Sequence, residues 1–245
     1  MVGSRVAVEV LASTVRETVQ QFHPAHAGTF MRRNELRDLI GSGESSTLEF
    51  KRKFTTVEKI AREMIAFANT TGGRLLIGVD DSGKVIGVDS EKEQIDQVMV
   101  SLSSIEPPLN HHIDVVEIDF KDVIVVTIPS SSRRPHHFSH PDAPVRPHDR
   151  PVFIRDGEQS VQASREMTKI LRGMNPDSPP MTLSIGDREQ RLFAYLERHQ
   201  RASVADFARL VNISRRRASQ ILVKLVRAGV LHIRHDNGHD FYTLV

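Results

Sequence analysis

Ser214 is followed at once by Arg215, Arg216 and Arg217. Serine is a good helix N-cap, so this order predicts three guanidinium groups in the first turn of a helix. Arginine there can fork onto guanine edges or grip phosphates. Ser219, Gln220 and Lys224 are expected on outward positions of the same helix, with Ala218, Ile221, Leu222, Leu225 and Val226 inward. A second pairing lies in TLEFK, where Glu49 and Lys51 stand two apart on an expected strand and so share a face. The pair reads either as a same-face ion pair or as part of a phosphoryl site. A third is Ser130-Ser131-Ser132-Arg133-Arg134, whose hydroxyls and guanidinium groups suit phosphate contact without base reading; a solvated loop is an equal reading. His136, His137, His140 and His148 lie with Asp142 and Asp149 in a proline-rich stretch without regular ligand spacing, which favours a surface loop over a metal site.

The arginines need a scaffold, and the last sixty residues supply its pattern. Asp187 to Arg198 is amphipathic, with Leu192, Phe193, Tyr195 and Leu196 on its apolar side. Ser203 caps a short helix over VADFARLV, and Asn212-Ile213-Ser214 makes a tight turn. The arginine helix then runs to Ala228 and ends at Gly229. Two strands follow around Asn237-Gly238, a strong hairpin dipeptide. Three helices and a hairpin are the layout of a winged helix-turn-helix, whose second motif helix enters the major groove. Arg234, His235 and His239 fall on the wing. The same layout also serves some modules that bind only protein.

Charge distribution agrees. The 245 residues carry 33 basic and 31 acidic side chains, a net charge of +2, so the total says nothing about nucleic acid. From Asp187 onward, however, eleven basic residues face six acidic ones. The absence of cysteine excludes a disulfide scaffold, a thiolate zinc site and a cysteine nucleophile. No apolar run reaches the ~20 residues that span a bilayer, and VAVEVLAS carries Glu9, so neither membrane nor secretion is expected. A cytoplasmic protein is the expectation.

Gly173 to Asp187 holds three prolines and two glycines and reads as a linker. The first forty residues suggest helices, at Val6 to Phe22 and Arg32 to Ile40. From Ser46, strand and helix signals mix. TLEFKRKF suits a strand, Thr55 or Thr56 caps a helix, and Asn69 to Gly73 stops it. RLLIGV and KVIGV read as paired strands around DDSG, Ser90 to Leu102 as a helix, VVEIDF and DVIVVTIP as a hairpin around Lys121-Asp122. PVFIRDG reads as a strand and Ser164 to Arg172 as a closing helix. Hairpins dominate, so the class is α+β and not a doubly wound sheet.

ESSTLEFK and FANTTGGRLLIGVDDSGKVIGV, with RPHHF and VFIRDG later, resemble the Schlafen AlbA-like domain family over about Ile40 to Met174. The resemblance implies a mixed sheet-and-helix domain associated with nucleic acids. In nuclease members of that family, two glutamates five residues apart and a later aspartate form an acidic site. By resemblance these fall on Glu44, Glu49 and Asp81, with Lys51 beside them. Clustered carboxylates of this kind can hold Mg²⁺ or Mn²⁺. ATP hydrolysis is not expected, because the chain lacks G-x-x-x-x-G-K-[ST] and Thr71-Gly72-Gly73 precedes a strand, with no helix N-terminus to cradle phosphate.

The combined expectation is an N-terminal helical segment (1–40), a Schlafen AlbA-like domain (41–174), a linker (175–186) and a winged helix-turn-helix (187–245). The leading function is a DNA-binding transcriptional regulator, homodimeric because such operators are often two-fold symmetric, and without a cofactor. Arg215, Arg216, Arg217, Gln220, Lys224 and Arg234 would touch DNA, with Arg133 and Arg134 on phosphates. The alternatives are a Mg- or Mn-dependent endoribonuclease acting on RNA through Glu44, Glu49, Asp81 and Lys51, and a protein-interaction scaffold.

Overall fold

The structure, a computed structural model, describes residues 31–139, 150–179, 183–236 and 238–245. The expected helix at Val6 to Phe22, His140, His148, Asp142, Asp149 and Asn237 lie outside the described residues. The class is α+β, with seven helices and ten strands among the described residues.

Helix α1 (Arg33–Ser42) leads into strand β1 (Leu48–Lys51). Helix α2 (Val57–Asn69) follows, capped by Thr56, whose hydroxyl accepts from the Lys59 amide. Its residues Ile60, Met64, Ile65, Phe67 and Ala68 are fully buried. Strand β2 (Gly72–Ile77) returns parallel to β1, with Glu49 opposite Leu75. This β1–α2–β2 crossover is the one parallel pairing among the described strands, and a hairpin-dominated pattern does not anticipate it.

The expected strand at KVIGV does not form; Val79 and Val85 make only an isolated bridge. Ile86 and Gly87 both donate to the Gly78 carbonyl, and Val88 donates to Asp122. The segment therefore folds back as a tight loop. The place beside β2 goes instead to β5 (Lys121–Pro129), which pairs with β4 (His112–Ile118) in the order β1-β2-β5-β4. The β4–β5 turn is Asp119-Phe120, not Lys121-Asp122; both turn residues have positive φ, the primed geometry of a two-residue hairpin. Three alternating apolar residues of β5, Ile124, Val126 and Ile128, join α2 and α3 (Glu91–Ser103) in one core.

Short strands β3 (Ile105–Glu106) and β6 (His137–Phe138) pair, as do β7 (Phe153–Asp156) and β8 (Gln159–Gln162). Helix α4 (Arg165–Gly173), capped by Ser164, comes next. Then follow α5 (Asp187–His199), α6 (Val204–Leu210), α7 (Arg215–Arg227), and the hairpin β9 (Leu231–Asp236) with β10 (His239–Leu244).

Helix α4 belongs to two cores. Its Leu171 packs with Val152 and Ile154, while Ile170 joins the core of Leu192, Phe207, Leu222, Leu225 and Tyr242. The C-terminal helices thus rest on α4 as well as on each other. No described helix is long and apolar enough to cross a membrane.

Candidate functional site

Two regions gather the residues singled out by sequence. The first is built around Arg155 on β7, whose side chain is wholly buried. Its Nη1 donates to Glu49 Oε2 at 3.0 Å, Glu63 Oε2 at 3.1 Å and Ser160 Oγ at 3.1 Å. Its Nη2 donates to the carbonyls of Ser45 (2.7 Å) and Glu158 (2.8 Å). The guanidinium lies 4.9 Å from the Phe67 ring centroid. Lys51 pairs with the other oxygen of Glu49, as their shared face on β1 requires. Two carboxylates and two cations so close leave little net charge, which is how buried ions are tolerated.

Glu44 sits at the rim of this cluster and accepts from the Phe50 amide at 2.8 Å. Partial burial raises its carboxyl above the ordinary range; the charges of Glu49 and Asp81 add to the rise, and the Phe50 amide and Lys51 oppose it. The four residues named by the resemblance are therefore electrostatic neighbours. Asp80, beside Asp81, shapes its turn by accepting from the Ser82 and Lys84 amides.

Asn69, in sequence part of the stop signal for α2 and of the FANTT segment that carries the resemblance, is helical and buried, and its amide ties three elements. Its Nδ2 donates to the carbonyls of His136 (3.0 Å) and Phe153 (2.9 Å), and Oδ1 accepts from the His136 amide. His136 is buried too, with Nδ1 2.7 Å from Pro107 O and Nε2 2.7 Å from Ser131 Oγ. Burial lowers its pKa, so it stays neutral and staples the loop.

Residues 44–164 match the family described as Schlafen, AlbA_2. The chain carries a Schlafen AlbA_2 domain. Two solved structures are similar. The DIP2311 protein of Corynebacterium diphtheriae is 16% identical with a TM-score of 0.41, over 63% of this chain and 29% of that one, so the chain spans less than a third of that protein. The N-terminal domain of a RecG-related protein of Nitrosomonas europaea is 20% identical with a TM-score of 0.37, over 56% of this chain and 94% of that one.

Every partner of Arg155 falls inside the Schlafen AlbA_2 match. Arg155 and Gly157 are legible in the sequence as part of VFIRDG, but the role of Arg155 as hub is not. Glu63 escapes sequence reasoning altogether. Its only signal is a carboxylate between the apolar positions Ile60, Met64 and Phe67. Of the loop pair in this domain, Arg134 is occupied at home, with Nε donating to Ser131 O and Nη2 to Ser130 Oγ. Arg133 is exposed.

The second region lies beyond the Schlafen AlbA_2 match. Ser214 Oγ accepts from the Arg217 amide at 3.2 Å, capping α7 as expected. Arg215, Arg216, Arg217, Gln220 and Lys224 are exposed, and so is Arg234 on β9. Among the described side chains, no acid pairs with Arg215, Arg216, Arg217 or Lys224. Ser219, expected outward, is buried against α4. Its hydroxyl donates to Glu166 at 2.6 Å and receives Lys169 at 3.3 Å. His235 lies on β9 and is tied to Asp240 at 2.8 Å.

Proposed function

We propose that this protein binds duplex DNA as a transcriptional regulator, with residues 187–245 acting as a winged helix-turn-helix. The observation that carries this reading is the capped start of α7, where Arg215, Arg216 and Arg217 stand exposed without an acidic partner among the described residues. Cations held clear of carboxylates keep their attraction for phosphate, and a helix of this length fits the major groove. Gln220 and Lys224 continue the same outward surface, and Arg234 reaches the backbone or minor groove from the hairpin. Arg133 adds a phosphate contact from the Schlafen AlbA_2 domain. A homodimer on a two-fold operator follows from this mode of reading.

Fluorescence anisotropy of the full chain on duplex DNA, over a range of salt, tests the reading. The full chain is used because Ile170 of α4 belongs to the C-terminal core. Replacing Arg215, Arg216 and Arg217 together by Ala is expected to weaken binding by about 1–3 kcal/mol for each arginine that reads a base. Unchanged affinity in that variant would overturn the assignment.

A metal-dependent endoribonuclease is the second reading, favoured by the closeness of Glu44, Glu49, Asp81 and Lys51. As placed, the donors do not fit Mg²⁺ or Mn²⁺. Both oxygens of Glu49 are taken, by Lys51 and Arg155, and no three acidic or imidazole side chains converge among the described residues. No step is assigned through a metal. Cleavage of structured RNA with Mn²⁺ that disappears in Glu44→Gln would restore this reading.

A further inference from the structure

Two sides of helix α4 are accounted for. Glu166 and Ile170 turn toward α7 and the C-terminal core, and Leu171 toward Val152 and Ile154. The remaining face carries Arg165, Lys169 and Arg172 at intervals of four and three residues, one stripe of an α-helix. All three are exposed. Lys169 is only loosely paired with Glu166, at 3.9 Å.

The stripe's direction follows from what fills the other sides. On α7, Ser219 faces α4, while Ala218, Leu222 and Leu225 are fully buried in the core. That leaves Arg216, Gln220 and Lys224 outward. Two neighbouring helices whose inner sides share one core must show their outer sides in the same direction. The basic stripe of α4 and the outward face of α7 therefore form one continuous surface. The helices touch where Lys169 Nζ reaches Ser219 Oγ at 3.3 Å. At the far end, α4 closes on Gly173, and a Cβ there would lie 2.1 Å from Arg227 Nε of α7. The glycine lets the two helices approach. Glu166 accepts from the Ser219 hydroxyl, and Asp240 accepts from Ser164 at the start of α4 and is paired with His235.

We propose that α4 is a second nucleic-acid contact, in which Arg165, Lys169 and Arg172 grip the sugar–phosphate backbone flanking the groove that α7 enters. This rests on the reading of α7 as a DNA-contacting helix and deepens it. The closing helix of the larger domain and the C-terminal helices would share one footprint. Helix spacing explains why α4 suits phosphates and not bases: packed helices lie about 8–10 Å apart, so the neighbour of a groove-bound helix stands over the strand beside the groove.

The test compares three full-length proteins on one random-sequence duplex by anisotropy across a salt series: the unmodified chain, R165A/K169A/R172A, and R215A/R216A/R217A. Removing one cation from a phosphate lowers the slope of log affinity against log salt by about 1, so the slope of the α4 variant is expected to fall by about 3. The charge-conserving R165K/R172K variant should keep the original slope, because gripping a phosphate needs a cation and not a fork. An unchanged slope in the α4 variant, with binding abolished in the α7 variant, overturns the proposal and leaves the α7 reading standing. No salt-sensitive binding by the unmodified chain overturns both. Weaker binding at an unchanged slope, or an equal fall in R165K/R172K, also overturns it, since charge is then not what α4 supplies. Circular dichroism checks that the exposed substitutions leave the helices intact.

Discussion

Arg155 Nη1 lies 3.0 Å from Glu49 Oε2, joining strand β7 to strand β1 across the interior of the Schlafen AlbA_2 domain. The same nitrogen holds Glu63 of α2 at 3.1 Å, so one side chain fixes three elements. Glu49 is thereby held first as a structural partner, whatever chemistry is asked of it.

Replacing Arg155 by Ala removes the one cation shared by Glu49 and Glu63 and leaves each buried carboxylate with a single cationic partner, Lys51 for Glu49 and Arg62 for Glu63. Breaking a buried pair from one side costs about 3–5 kcal/mol. Urea unfolding of Arg155→Ala should show a loss of that size. Arg155→Lys should recover only part of it, because a single ammonium cannot serve two carboxylates and the carbonyls of Ser45 and Glu158 together. A midpoint equal to that of the unmodified chain would refute the hub role.

Glu44 should make the folded state less stable as pH rises. Its raised carboxyl keeps a proton that the unfolded chain has already released, so the folded state binds more protons between the ordinary carboxyl value and the raised one. Stability from this group is lost on going up through that window. Gln keeps an acceptor for the Phe50 amide and carries no charge. Glu44→Gln is therefore expected to melt higher than the unmodified chain at neutral pH, with the difference shrinking toward about pH 4.

His136 works with the opposite sign. Burial, the largest cause, holds it below the ordinary imidazole value, with nearby cations acting the same way and the Pro107 carbonyl opposing. The unfolded chain then takes up a proton first, so stability falls as pH drops below the ordinary value, about 6.5. His136→Gln should lose stability at neutral pH through its missing ring contacts, yet show a flatter acid limb in melting temperature against pH.

Gly73 has no room for a methyl group: a Cβ would sit 2.3 Å from Cδ1 of Phe67, itself fully buried. Overpacking of this kind costs about 1–3 kcal/mol or more. Gly73→Ala should lower the melting temperature clearly. Gly41, in α1, has nothing within 4 Å of its Cβ position. Gly41→Ala should instead stabilise by about 0.5–1 kcal/mol. The two substitutions in one background separate packing from helix propensity.

The sequence by itself determined what rests on local rules. Ser214 caps its helix, one of the two candidate threonines, Thr56, caps α2, and the spacing of apolar residues in α2, α3 and α7 defines those helices to within a few residues. Periodicity and capping act over one or two turns, so they can be read from neighbours in the chain. The tertiary structure alone decided which elements meet. It gave β2 the partner β5 instead of the nearby KVIGV segment, made Arg155 the partner of residues 106 and 92 positions away, and turned Ser219 from an outward residue into a contact with α4. Those outcomes depend on competition between distant surfaces for the same buried place, and that competition leaves no mark at helix or strand spacing.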